Sequence, residues 1–203
     1  MITVYASGGT RSRRVLWTLE ELGAPYEVAS VKFPPAFRQP DYLKINPTGT
    51  VPAMTDGEVL LTESMAICEY ATRKHGGDLV VAPDEPGFAD YLQFLHFGES
   101  TLTQPLVSIV RYGLLEPDAR KSPQVVEDAR AAFATRLKPI AKTLADGREF
   151  MAADRLTLAD VSVAYAFSLA AGVGAADLIP AEILAYEDRM KARPAYQRAY
   201  AVP

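Results

Sequence analysis

Sulfur and imidazole are scarce in this chain. One cysteine, Cys68, and two histidines, His75 and His96, stand among 203 residues. A single cysteine excludes an internal disulfide and a cysteine-built metal centre, and two isolated histidines add no ligand cluster. That usage fits a reducing compartment. Runs of basic residues are absent and the net charge is −4, which argues against nucleic acid as the main partner. Long apolar runs are absent too. The most apolar stretch, 161–176, is bounded by Asp160 and Asp177 and falls short of the roughly 20 residues needed to span a bilayer. It reads as a buried helix. Met1 leads into a strand-like run too short for a secretory apolar region, with no basic residues before it. The expectation is a cytoplasmic protein with no membrane and no metal partner. What is plentiful is ordinary: 49% hydrophobic and 23% charged residues, enough for a proper core in one or two domains.

The first third of the chain alternates strand and helix signals. Ile2 to Tyr5 is β-rich, and Ala6 to Thr10 is a loop by composition. From Arg11 the period becomes helical, with Val15, Leu16, Leu19 and Leu22 on one face, and Gly23 and Pro25 ending the run. Tyr26 to Val31 alternates as a second strand, so the two strands are parallel by the crossover rule. Phe33 to Tyr42 holds three prolines and reads as irregular. Val51 to Met54, Asp56-Gly57 and Glu58 to Leu61 read as a hairpin, and Ser64 to His75 as a helix. Gly76 to Pro86, with two glycines, two prolines and three acidic residues, is the expected linker.

Beyond it only helical periods appear. Phe88 to about Leu115 reads as one long helix, with Tyr91, Leu92 and Leu95 sharing a face and a kink at Pro105. Pro123 to Leu144 is another, with Pro139 inside. Leu156-Thr157-Leu158-Ala159-Asp160-Val161 reads as a capping box with a hydrophobic staple, giving Asp160 a structural role. Shorter helices are expected near 181–192 and 195–201. The domains are therefore set at 1–77 and 86–203.

Two places carry chemistry. In Asn46-Pro47-Thr48-Gly49-Thr50-Val51-Pro52, Pro52 opens a strand, where its missing N–H costs little and a cis bond is tolerated. Val51 beside it would expose backbone able to pair with an extended peptide. Downstream, Glu63-Ser64 opens a helix, whose free N–H groups and dipole attract a carboxylate. The second place is the window Tyr5-Ala6-Ser7-Gly8-Gly9-Thr10-Arg11-Ser12-Arg13-Arg14, rich in hydroxyls at the start of the first helix. Arg11, Arg13 and Arg14 oppose the dipole there, so at least one is expected to face a carboxylate or acidic partner. A solvated or ion-paired face is favoured for Arg13 and Arg14. Cys68, among apolar neighbours, reads as buried and inert.

N-P-x-G-x-V-P followed by E-S resembles the glutathione-binding half of the glutathione transferase family, and the resemblance runs over nearly the whole chain. It implies an α/β thioredoxin-like N-terminal domain of order β-α-β-α-β-β-α, followed by an all-α helical domain carrying the electrophile-site wall. It also implies that Thr50, Val51 and Pro52 hold the cysteinyl part of glutathione and that Glu63 and Ser64 hold its γ-glutamyl end. Glutathione is then a co-substrate, with no further cofactor, and a small hydrophobic electrophile and a second copy of the chain are the other partners. Lys32 and Lys44 are candidates for the glycyl carboxylate.

The nucleophile would be the thiolate. A free thiol titrates near ~8.5, and lowering that by about two units corresponds to about 2.7 kcal/mol. A hydroxyl donating to sulfur and the dipole of the first helix can supply it. Bacterial members of the type S-R-S-x-R-V-L-W place their serine on Thr10, which makes Thr10 the first candidate, Ser12 the second and Tyr5 the third. Helix capping is the competing role for Thr10 and Ser12. The implied reaction is attack on an electrophilic carbon or reduction of a hydroperoxide. A glutathione-dependent isomerase would show S-S-C-x-x-R here, a disulfide-exchange enzyme would show a cysteine near Thr10, and a non-catalytic binding module is the remaining alternative.

Overall fold

A computed structural model describes residues 1–32 and 40–202. The chain divides into two compact units, one of residues 1–80 with 191–203 and one of 81–190. The expected division put 86–203 together; residues 191–203 instead return to the first unit, for a reason given below.

The first unit is built on a four-stranded sheet in the order β2-β1-β3-β4. Its strands are β1 (Ile2–Ala6), β2 (Tyr26–Ser30), β3 (Ala53–Asp56) and β4 (Val59–Thr62). β1 runs parallel to β2 and antiparallel to β3, and β4 is antiparallel to β3. Alternation in β1 buries Ile2, Val4 and Ala6. Helix α1 (Ser12–Leu22) covers the sheet with Val15, Leu16 and Leu19 and stops at Gly23, whose φ of 60° is left-handed. The Ala24 N–H then returns to the Leu19 carbonyl at 3.1 Å, a Schellman-type ending. The hairpin turn falls on Gly57-Glu58, one residue later than expected, because Asp56 pairs with Val59. A short helix, α2 (Pro40–Ile45), occupies the end of the segment read as irregular, and α3 (Ser64–His75) closes the thioredoxin-like order. Phe33 and the residues up to 39 lie outside the described residues.

The last helix of the chain, Pro194–Ala201, joins this unit because α1 presents it with complementary charge. Arg193 grips both Glu21 carboxylate oxygens at 2.7 and 2.9 Å, and Arg198 reaches Glu20 at 2.6 Å. Trp17 lies edge-on to Tyr196 at 5.0 Å, Tyr196 stacks on Tyr200 at 3.8 Å, and Arg13 sits 4.6 Å over the Tyr200 ring.

The second unit is helical. α4 (Phe88–His96) and α5 (Gln104–Ile109) are joined, and α5 is followed, by wider π-helical stretches at Phe97–Thr103 and Val110–Leu115. One helix was expected from 88 to 115 with a kink at Pro105; the chain is helical throughout but changes its winding. Pro105 offers no N–H to the Thr101 carbonyl four residues back, and the Arg136 guanidinium of α6 (Pro123–Leu144) supplies that donor at 2.9 Å. Most of the apolar stretch of 161–176 falls in α7 (Leu158–Gly172), which is buried almost all round from Leu158 to Phe167, while residues 173–176 lie beyond its end. Gly98 lets α7 approach: a Cβ there would overlap Ser162, whose hydroxyl donates to the Leu95 carbonyl at 2.8 Å. The capping box at Thr157 and Asp160 is formed, Leu156 and Val161 are buried, and α8 (Ala181–Lys191) packs Tyr186 onto Asp160. The element Pro194–Ala201 is α9. No helix of the described residues is long and apolar enough to cross a membrane.

Candidate functional site

The sheet register brings three parts of the chain to one end. Ala53 opens β3 and pairs with Tyr5, near the end of β1, and with Thr62, at the end of β4. The loop leaving β1 carries Ser7 to Ser12, the loop entering β3 carries Thr50-Val51-Pro52, and the residues leaving β4 are Glu63-Ser64. All three therefore meet beside Ala53, and α1 and α3 begin there. Neither helix has an acidic side chain in its first turn, although Glu63 stands at the N-cap of α3.

The proline loop is held from behind. The Val51-Pro52 peptide is cis. Val51 precedes the β3 register, so its backbone lies outside the ladder. The carbonyl just before it, of Thr50, accepts from the Tyr42 hydroxyl at 2.6 Å and from Asn46 Nδ2 at 2.7 Å. Asn46 also takes the Thr48 N–H at 3.1 Å and the Thr48 hydroxyl at 2.8 Å on its Oδ1. Burial raises the Tyr42 phenol above its ordinary value, keeping it a donor. The Val51 side chain packs with Val31 and Tyr42, against which Tyr5 and Ile45 also lie. Tyr5 is thus engaged in packing, its ring 6.1 Å from that of Tyr42. Thr50 is exposed, whereas Val51 and Pro52 are covered.

At the start of α3, Glu63 has φ 68° and ψ 110°, a conformation rare for a residue with a side chain. It turns the chain so that exposed Glu63 and buried Ser64 follow each other at the helix mouth. Ser64 Oγ accepts from Arg14 Nη1 at 3.3 Å. Arg14 is fully buried, which corrects the solvated face expected for it. Its neighbours in the α1 sequence gave no sign of this, because the partner lies 50 residues away. The bond ties the first turn of α1 to the first residue of α3 and leaves the Ser64 proton free to donate outward.

In the hydroxyl window, Thr10 is partly exposed and Ser12 is fully enclosed. Thr10 Oγ1 lies 2.6 Å from the Ser7 carbonyl and 2.9 Å from Ser12 Oγ, and it accepts from the Ser12 N–H at 3.3 Å. Arg11 occupies the N-cap of α1 without a capping side chain, so neither Thr10 nor Ser12 takes the cap position. Ser7, whose carbonyl and N–H both join this network, is a participant that side-chain reasoning missed because it acts through its backbone. Lys44 is exposed and paired with Asp41 at 2.8 Å. Cys68 is buried, and burial pushes its thiol up to about 12.

A family model described as glutathione S-transferase, N-terminal domain, matches residues 10–74. The probable glutathione S-transferase GSTF2 of rice (Oryza sativa subsp. japonica) is 32% identical over 153 residues, 73% of this chain and 71% of that one. The chain belongs to the glutathione S-transferase family. Glutathione S-transferase 3 of Schizosaccharomyces pombe is 35% identical over 105 residues, 50% of this chain but only 43% of its own length. Among solved structures, a glutathione transferase from Pseudomonas putida, carrying one glutathione disulfide per subunit, superposes with a TM-score of 0.86 at 22% identity, covering 100% of this chain and 91% of that one. The fold of this family member is therefore the thioredoxin-like domain plus helical domain that the sequence implied.

Proposed function

We propose that this protein is a glutathione transferase that joins the glutathione thiolate to small hydrophobic electrophiles. The observation that carries the reading is the meeting of Thr10, the Thr50-Val51-Pro52 loop and Glu63-Ser64 at one end of the sheet, under two helix N-termini. The Val51 backbone pairs with the cysteinyl part of glutathione. Glu63 takes its α-amino group, and Ser64, braced by Arg14, donates to its α-carboxylate. Thr10, the partly exposed hydroxyl of the window, is the catalytic donor to sulfur. The thiolate attacks an electrophilic carbon, the C–S bond forms, and the leaving group departs with its electron pair. A hydroperoxide would react instead at oxygen, giving the alcohol and, with a second glutathione, the disulfide and water. The helical unit of residues 81–190 supplies the electrophile wall, the molecule works as a homodimer in the cytoplasm, and glutathione is its sole co-substrate.

The test is calorimetric titration with glutathione, followed by the ultraviolet absorbance of the bound thiolate against pH. Binding with a depressed thiol pKa is expected. Failure to bind refutes the reading, and binding without depression makes the protein a non-catalytic glutathione-binding module.

A further inference from the structure

We infer that Tyr42 is a positioning residue for glutathione: its hydroxyl holds the Thr50 carbonyl inward and so aims the Val51 N–H at the cysteinyl carbonyl of the ligand. The inference rests on the proposed pairing of the Val51 backbone with glutathione.

The Thr50 C=O and the Val51 N–H are the two ends of one trans peptide unit. That unit is planar, so its two ends point in opposite directions and fixing one fixes the other. A carbonyl oxygen has two lone pairs. Both are taken here, by the Tyr42 hydroxyl at 2.6 Å and by Asn46 Nδ2 at 2.7 Å. The two donors are themselves held. Tyr42 and Asn46 are buried, the Tyr42 ring packs with Val31 and Val51, and Asn46 Oδ1 is engaged by the Thr48 N–H and hydroxyl.

The other end of the unit is unspent. Val51 is 9% exposed and precedes the β3 ladder, and among the described residues nothing accepts from its N–H. An enclosed N–H without an acceptor is rare in a folded chain, and an extended ligand that brings a carbonyl satisfies it. The two donors differ in what else they do. Asn46 also anchors the Thr48 turn. Tyr42 supplies one proton to one carbonyl, so Tyr42→Phe removes that proton and keeps the ring in its packing. The Thr50 carbonyl then hangs on Asn46 alone and can tilt about that single bond, and the Val51 N–H tilts with it.

The experiment measures glutathione binding by calorimetry and hydrogen exchange of the Val51 amide by NMR, with and without glutathione, in wild type, Tyr42→Phe and Asn46→Asp. Asn46→Asp keeps the acceptor for Thr48 and removes the donor to Thr50. In wild type, glutathione should slow Val51 exchange about tenfold or more. In Tyr42→Phe the dissociation constant should rise about three- to tenfold, the span of one neutral hydrogen bond. At equal saturation its Val51 amide should be slowed only about threefold or less. Asn46→Asp should show both effects at least as strongly, and it decides the matter by the same two readouts if Tyr42→Phe does not fold. Unchanged affinity in Tyr42→Phe overturns the inference. Weaker binding with Val51 slowed as in wild type also overturns it and makes Tyr42 a packing residue only. Glutathione that binds wild type without slowing Val51 overturns the pairing and the inference with it. No binding to wild type overturns the proposed function as a whole.

Discussion

Asp160 is a fully buried carboxylate on which three parts of the helical unit converge. Its carboxylate accepts four hydrogen bonds. Oδ1 takes the Met151 N–H at 2.8 Å and the Tyr186 hydroxyl at 2.9 Å, and Oδ2 takes the Thr157 N–H at 2.8 Å and the Thr157 hydroxyl at 3.0 Å. Burial pushes the carboxyl up to about 6, against the pull of these four donors, so at pH 7.5 it is charged and all four are satisfied. Asp160→Asn keeps the shape and replaces one acceptor oxygen by an NH₂. The facing hydroxyl, of Thr157 or Tyr186, can turn and accept. The facing backbone N–H cannot, and one buried donor without a partner costs about 1–3 kcal/mol. Asp160→Ala strands both backbone donors and roughly doubles the loss. The expected effects are about 2 kcal/mol for Asn and about 4 kcal/mol for Ala. For a chain of this length the first corresponds to a fall of about 4–8 °C in Tm. Differential scanning calorimetry at pH 7.5 measures both. A Tm for Asp160→Asn within a degree of wild type, or an alanine variant no worse than the asparagine one, would refute the hydrogen-bond reasoning.

Three further outcomes follow from other parts of the molecule. Ser64→Ala should weaken glutathione binding about tenfold in calorimetry, since one hydrogen bond to a charged group contributes about 1.5 kcal/mol or more; unchanged affinity would remove Ser64 from the site. Cys68, buried with its thiol up to about 12, should not react with a disulfide reagent at pH 8 in folded protein and should react fully in denaturant; rapid labelling of the native state would contradict its burial. Asp56 is held below its ordinary carboxylate value by the Lys74 ammonium and the Tyr70 hydroxyl. Its depressed value means that the stability it adds is present above about pH 4 and is lost as pH falls through the folded value. Asp56→Asn should therefore lower the urea midpoint at pH 7, and the difference should vanish in strong acid; a difference that persists there would point to packing instead.

What the sequence determined by itself was what depends on near neighbours. The alternation of β1, the glycine that ends α1, the hairpin around Gly57 and the Thr157–Asp160 capping box are all written within a few residues, and each formed, the hairpin turn one residue later than the Asp-Gly signal placed it. The Val51-Pro52 and Glu63-Ser64 motifs were legible for the same reason, as local backbone devices with fixed chemistry. What only the tertiary structure decided depends on residues far apart. Arg14 looked like a surface charge until the β3–β4 hairpin brought Ser64 within 3.3 Å of it. The last helix looked like part of the helical domain until Arg193 and Arg198 met Glu21 and Glu20 across more than 170 residues. Motif alone ranks Thr10 first and Ser12 second, and the structure separates them by burial: Thr10 is partly exposed and Ser12 is fully enclosed. Local pattern fixes which backbone conformation a segment takes, but the exposure of a polar group is set by whatever the rest of the chain lays over it.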